Sequence, residues 1–329
     1  MTTAPLPDEP NAATEASVRL RTAMLLVGTG YLFLTLCDYR EGLANLALRF
    51  LLKDHLHLTA IDLAAYFAVT KLAWYCKPFA GLLADKVSFL GTRRKGYLVG
   101  FSLIAALLWA VLPLAHDSQA FMLWLVLAIN FALMMVHTTL GGMLVEMGQS
   151  LGATGRISAV RSGVESFGWL LAGLTGGWIA ASLGYRGFVI NAVLMIALAG
   201  MFALTLREKS SDSSTLGQAK WSLAQLPELL RHRTLWVAAG FWVLVKFSPG
   251  FGTPLFFYQS ETLHFTPQFI GYLTFVSAAA GLLGSIFYVR ICRRIPLHQL
   301  LWLGVSLHAG SALAYFAYRS TGAALVIEA

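Results

Sequence analysis

Charge is the scarcest commodity in this sequence. Asp, Glu, Lys and Arg make up only 12% of its 329 residues, against about 25% in soluble globular proteins. A chain of this length cannot cover a water-facing surface with so few charges, so a soluble enzyme is excluded. Cysteine is also sparse. Cys37, Cys76 and Cys292 lie far apart, which excludes a disulfide framework and the paired spacing of a cysteine metal site. His-x-x-x-His and His-Glu-x-x-His do not occur, so neither a metal, a cofactor nor an enzyme activity is expected. The first twenty residues lack a basic stretch ahead of a short apolar core, which argues against a cleaved leader.

What is present in excess is apolar. Hydrophobic residues reach 57% and the mean hydropathy is +0.67, the composition of an all-helical polytopic membrane protein. Apolar runs of spanning length fall at about 23–51, 63–84, 96–115, 120–147, 162–184, 187–206, 234–258, 268–289 and 299–318, nine in all. The net charge of +8 points to membrane orientation rather than nucleic acid, because the basic residues sit between the runs. With the N-terminus placed inside, 16 of the 24 Lys and Arg fall in inner loops and three in outer loops. That asymmetry predicts a multi-pass inner or plasma membrane protein with a cytoplasmic N-terminus. A cytoplasmic tail is expected over 1–22, a six-helix bundle over 23–206, a Ser-rich cytoplasmic linker over 207–233 and a partial bundle of about three helices over 234–329.

Leu56-His57-Leu58-Thr59 and Leu263-His264-Phe265-Thr266 are 207 residues apart, and a basic loop follows each at the same distance. The offset suggests two parallel halves. A full pair would need about 414 residues, so the chain is expected to lack three helices of its second half.

Charges inside the runs mark candidate functional residues, since each costs roughly 2.5–3.5 kcal/mol at mid-bilayer. Asp38, Arg40 and Glu41 share the first run, and three-residue spacing would put Asp38 and Glu41 on one helix face. They could bind a solute or carry a coupling proton, or pair internally with Lys71 or Lys246. Glu146 is a further proton candidate. Lys71, Lys246 and Arg40 could hold an anionic tail or neutralise nearby carboxylates, and Lys77 could extend to the interface. Tyr39, Trp74 and Phe247 could stack on a flat ring. Pro249, Gly250, Gly252 and Pro254 predict a broken seventh helix that exposes backbone at a central site. Gly173 and Gly177 permit close helix contact.

The second run ends Lys77-Pro78-Phe79-Ala80-Gly81-Leu82-Leu83-Ala84-Asp85, followed by Gly91-Thr92-Arg93-Arg94-Lys95-Gly96-Tyr97. This resembles the loop between helices two and three of the major facilitator superfamily. In its longer form, with Phe50 to Leu56 and the segment Phe256-Phe257-Tyr258 to Gly271, it is similar to the folate–biopterin transporter family. His137 and Gly141 stand where that family's fourth helix carries acidic residues. The resemblance implies two six-helix bundles, the second truncated here, that move a small organic solute by alternating access. It implies folate or pterin uptake, with proton symport as an option, by a monomer whose partners are lipid and solute. Another permease of the superfamily, such as a sugar-peptide permease, or a non-transporting fragment are the alternatives. Gly81, Asp85, Lys86, Arg93 and Arg94 would form a latch between conformations, unless the basic residues only set topology.

Overall fold

The computed structural model describes residues 9–206, 231, 233, 236–237, 240, 252–291 and 296–329. Among the described residues the only strand-like pairing is one isolated bridge, Phe89 to Thr92. Segments Lys95–Ala115, Gln119–Ser150, Gly184–Thr205 and Pro267–Gly284 are long and apolar enough to cross a membrane. Their outward faces carry Leu103, Ile104, Leu107, Trp124, Val193 and Ile196, side chains that water would not tolerate in such a belt and lipid does. The protein is an all-α, multi-pass membrane protein.

The apolar runs do not all become continuous helices. Helix α1 (Glu9–Leu36) begins inside the stretch read as a tail. The chain leaves the helix at Cys37 and resumes as α2 (Asn45–Phe50), which runs into a π-turn, Leu51–His55. The second run is divided into α3 (Ala60–Thr70), α4 (Leu72–Tyr75) and α5 (Lys77–Lys86). The next four helices are unbroken: α6 (Lys95–Val111), α7 (Gln119–Ser150), α8 (Thr154–Ser182) and α9 (Phe188–Thr205). Beyond them come α10 (Gly252–Phe257), a second π-turn at Tyr258–Thr262, α11 (Pro267–Ile291), α12 (Leu297–Ala314) and α13 (Thr321–Glu328).

The 207-residue offset is a structural repeat. Leu51 and Tyr258, which open the two π-turns, are 207 residues apart, as are Ala60 and Pro267, which open α3 and α11. In both copies the motif residues do the same work. The Leu56 and Leu263 amides close the π-turns onto Leu51 and Tyr258. His57 and His264 take left-handed backbone conformations, φ 55° and 52°, a region where His is enriched among non-glycine residues. Leu58 and Phe265 are buried. Thr59 and Thr266 then cap the next helix, each accepting from the amide three residues on, Asp62 and Phe269.

Two of the most extensive packing seams among the described helices position the site. Helices α6 and α9 lie along one another, with Trp109 and Phe188 fully buried between them, their rings 6.0 Å apart. Lys95 donates to the Ala203 and Leu206 carbonyls at the end of α9, 2.6 and 2.9 Å away. Helix α8 packs most extensively on α11. There Gly173 and Gly177 meet Gly271 so closely that a Cβ on Gly271 would lie 2.7 Å from both the Gly173 carbonyl oxygen and the Gly177 Cα. The Gly-x-x-x-Gly pair is therefore a backbone-to-backbone contact.

Candidate functional site: a polar cavity among four spans

The break in the first span is built by its own residues. The Asp38 carboxylate accepts the amide of Arg40 at 2.7 Å and that of Glu41 at 3.3 Å, a local turn that competes with helix. The Leu43 amide returns to the Leu36 carbonyl at 2.9 Å. Gly42 completes the turn, because a Cβ there would collide with the carbonyl oxygens of Asp38 and Leu36. Asp38 and Glu41 consequently do not share a helix face, as three-residue spacing alone suggests. They share a loop, and the carboxylate of Asp38 is partly committed to holding it.

Beside this loop lies a cavity of about 130 Å³, lined by residues of α1, the loop, α4, α7 and α8. Asp38, Glu41 and Trp74 reach it, joined by Tyr31, His137, Glu165 and Trp169. A cation–aromatic network organises its wall. Arg161 pairs with Glu165 at 3.0 Å and lies over the Tyr31 ring, 4.4 Å from its centroid. His137 meets Tyr31 edge-on at 5.1 Å and Trp74 at 5.3 Å. Lys77 sits 3.3 Å from His137 Nδ1 and 5.4 Å from the Trp74 ring, so its amine turns inward rather than to an interface. Trp74 donates its indole N–H to buried Asn130 at 3.3 Å. The Tyr31 hydroxyl is buried and finds no hydrogen-bond partner among the described residues. A buried hydroxyl costs about 1–3 kcal/mol when unsatisfied, so this wall is short of one polar partner.

The other expected residues are placed elsewhere. Tyr39 is buried against Phe67 and accepts from the Thr70 hydroxyl at 3.4 Å. Arg40 and Lys71 are exposed outside the cavity lining. Glu146 lies at the other end of α7, where it accepts from Arg93 at 2.9 Å and from buried Arg94 at 2.6 Å. Arg93 and Arg94 thus clamp α7. Gly81 on α5 stands in ordinary contact with Thr138 of α7. Asp85 and Lys86 end α5, and their side chains lie outside the described residues. Lys246, Phe247, Pro249 and Gly250 also lie outside them. Gly252 and Pro254 belong to α10, where the Gly252 carbonyl accepts from Arg49 at 3.3 Å. Arg49 also lies over the Phe67 and Phe256 rings, which joins the first span to α10.

Tyr31, Glu165 and Trp169 line the cavity, and Arg161 and Asn130 contact the lining from behind; sequence reasoning assigned none of these five to the site. Arg161 and Glu165 carried a signal, opposite charges four apart within one span. Tyr31 and Asn130 carried none, since their partners come from other helices.

The arrangement offers carboxylates and ring faces around a partly open space, with the cations Arg161 and Lys77 behind its wall. A protein of Synechocystis sp. named folate-biopterin transporter is 25% identical over 260 residues, covering 78% of this chain and 52% of its own length. Folate transporter 1 of Plasmodium falciparum is 24% identical over 269 residues, 79% of this chain and 52% of its own. A probable folate-biopterin transporter 9 of Arabidopsis thaliana is 22% identical over 287 residues, 82% of this chain and 52% of its own. The chain spans about half the length of these curated relatives. The BT1 family matches from residue 39 to residue 316, a range that begins just after Asp38 and includes Glu41, both π-turns and the glycine seam, and the chain belongs to that family.

Proposed function

We propose that this chain handles folate or a related pterin as part of a secondary transporter of the major facilitator type, in which two bundles related by the 207-residue repeat open a central site to each side in turn. The observation that carries the reading is the cavity at the broken first span. Its carboxylates Asp38, Glu41 and Glu165 match the adjacent N–H donors of an amino-pyrimidinone ring. Trp74, Trp169 and Tyr31 supply faces for the ring, and the Tyr31 hydroxyl a polar contact. The cavity volume of about 130 Å³ is small beside the roughly 300–1,000 Å³ of drug-sized sites, so these residues surround only one end of such a solute. Arg40, Lys71 and Lys246, with Phe247, are proposed for the anionic tail. Asp38 and Glu41 are the carboxylates proposed for proton coupling. We place the protein in the inner or plasma membrane with its N-terminus and the Arg93–Arg94 loop in the cytoplasm.

Labelled folate and biopterin uptake by cells expressing the chain tests this. Uptake above an empty-vector control is expected, with at least tenfold loss in Glu165→Gln and Trp74→Leu, on the scale of one lost charged hydrogen bond, about 1.5–3 kcal/mol. Uptake equal to the control would remove the pterin reading. Normal uptake in both variants would remove the cavity from it.

A further inference from the structure

On the face opposite the Arg93–Arg94 loop, three side chains from two connections converge. His55 ends the first π-turn. His116 and Asp117 follow the short 3-10 turn Leu112–Ala115 at the end of α6. His55 Nε2 lies 3.6 Å from Asp117 Oδ1, and His116 Nε2 lies 3.3 Å from Asp117 Oδ2. One ligand atom from each residue falls within 4.8 Å of the other two. We propose that His55, His116 and Asp117 form a binding site for a divalent metal ion of the zinc class.

The chemistry of His116 carries the argument. Its Nδ1 is 2.9 Å from the Pro113 carbonyl oxygen. A carbonyl can only accept, so Nδ1 bears the proton and donates. In the neutral ring the Nε2 lone pair then points at the Asp117 carboxylate. Lone pair against carboxylate is repulsive unless a proton or a metal ion lies between them. A carbonyl-anchored Nδ1–H with Nε2 presented outward is also how metal-bound histidines are oriented. The ring is fixed a second time by stacking on Tyr185, 4.7 Å between centroids at an interplanar angle of 4°.

The distances suit the ion. Ligand atoms about 2.0–2.1 Å from a tetrahedral zinc stand about 3.3 Å from one another. His116 Nε2 and His55 Nε2 stand 3.3 and 3.6 Å from the two different oxygens of Asp117, and one atom from each residue lies within 4.8 Å of the other two, so small side-chain shifts close the set around an ion. Two imidazoles and one carboxylate leave a fourth position for water. The site is open to an incoming ion, since the His55 and Asp117 side chains are 48% and 73% exposed. Sequence spacing conceals it, because His55 and His116 are 61 residues apart. A bound ion would fasten the outer end of the first span to the connection between α6 and α7, and Tyr185 brings in the connection before α9. Lys53, two residues from His55, lies 3.7 Å from Glu261 of the second π-turn, so the same ion stands next to a contact between the two repeats.

The test is equilibrium dialysis of the full chain, purified in detergent with any polyhistidine tag removed, against zinc chloride, with cobalt chloride as a spectroscopic probe. One equivalent of bound zinc and a cobalt spectrum with tetrahedral intensity are expected. His55→Ala and His116→Ala should each weaken binding at least about tenfold, the scale on which even outer partners act, and Asp117→Asn should weaken it as well. His308→Ala, on exposed α12, should bind as the parent does. Size-exclusion profiles check that each variant remains folded. Absence of stoichiometric zinc in the parent would show that a proton alone separates His116 from Asp117, and zinc retained by the His55→Ala, His116→Ala double variant would place the ion elsewhere. Either result overturns the proposal.

Discussion

Helices α6 and α9 and the two broken spans before them come from runs of similar apolar character, yet they are built on opposite principles. The α6–α9 pair is regular, carries its charges at the ends and buries Trp109 and Phe188 along a continuous seam. The stretch from α1 to α5 is interrupted at Cys37–Ala44, at Lys71 and at Cys76, and it contributes Asp38, Glu41 and Trp74 to the cavity. Regular spans satisfy their backbone internally and can face lipid. Broken spans free backbone groups, which is tolerable only where side chains or a cavity take them up. Irregularity therefore collects where a solute could be held, and regularity where the bundle must simply stand.

Substitutions can sharpen this contrast. The largest effect is expected from Gly42→Ala. The added methyl collides with two backbone carbonyls, so the loop must open, at a cost of about 3 kcal/mol or more. Thermal unfolding of the detergent-solubilised protein should show a clear fall, and a wild-type melting curve would mean that the loop is less constrained than described. Glu146→Gln comes next. It leaves buried Arg94 facing a neutral amide, while half-exposed Glu146 discounts the pair, so about 1–2 kcal/mol is expected. Arg93→Met, removing the exposed partner, should cost less by the same measurement, and the reverse order would contradict the burial. The smallest effect should follow Lys95→Met, which uncaps the end of α9 at about 0.5–1 kcal/mol. Hydrogen exchange confined to residues near Ala203 and Leu206 would reveal it, and a change spread over the cavity would erase the distinction between the two regions.

What could be read in advance depends on whether the determining partners are local. The Leu-His-[Leu/Phe]-Thr repeat was visible because its turn, its left-handed histidine and its threonine cap act within twelve residues. The apolar runs were visible because lipid selects composition. The break at Asp38–Gly42 was hidden by the apolar run around it, although Asp and Gly four residues apart are the residues that stop helices. A helix break was expected instead near Pro249, at about the corresponding place in the second copy. The pairing of Glu146 with Arg93 and Arg94 could not be read either, since the partners are more than fifty residues apart.

The glycine seam between α8 and α11 has a mechanical consequence. At Gly173, Gly177 and Gly271 the two helices meet through main chain, with no room for a Cβ between them. A single branched residue introduced at any of the three would therefore force the helices apart along their whole contact.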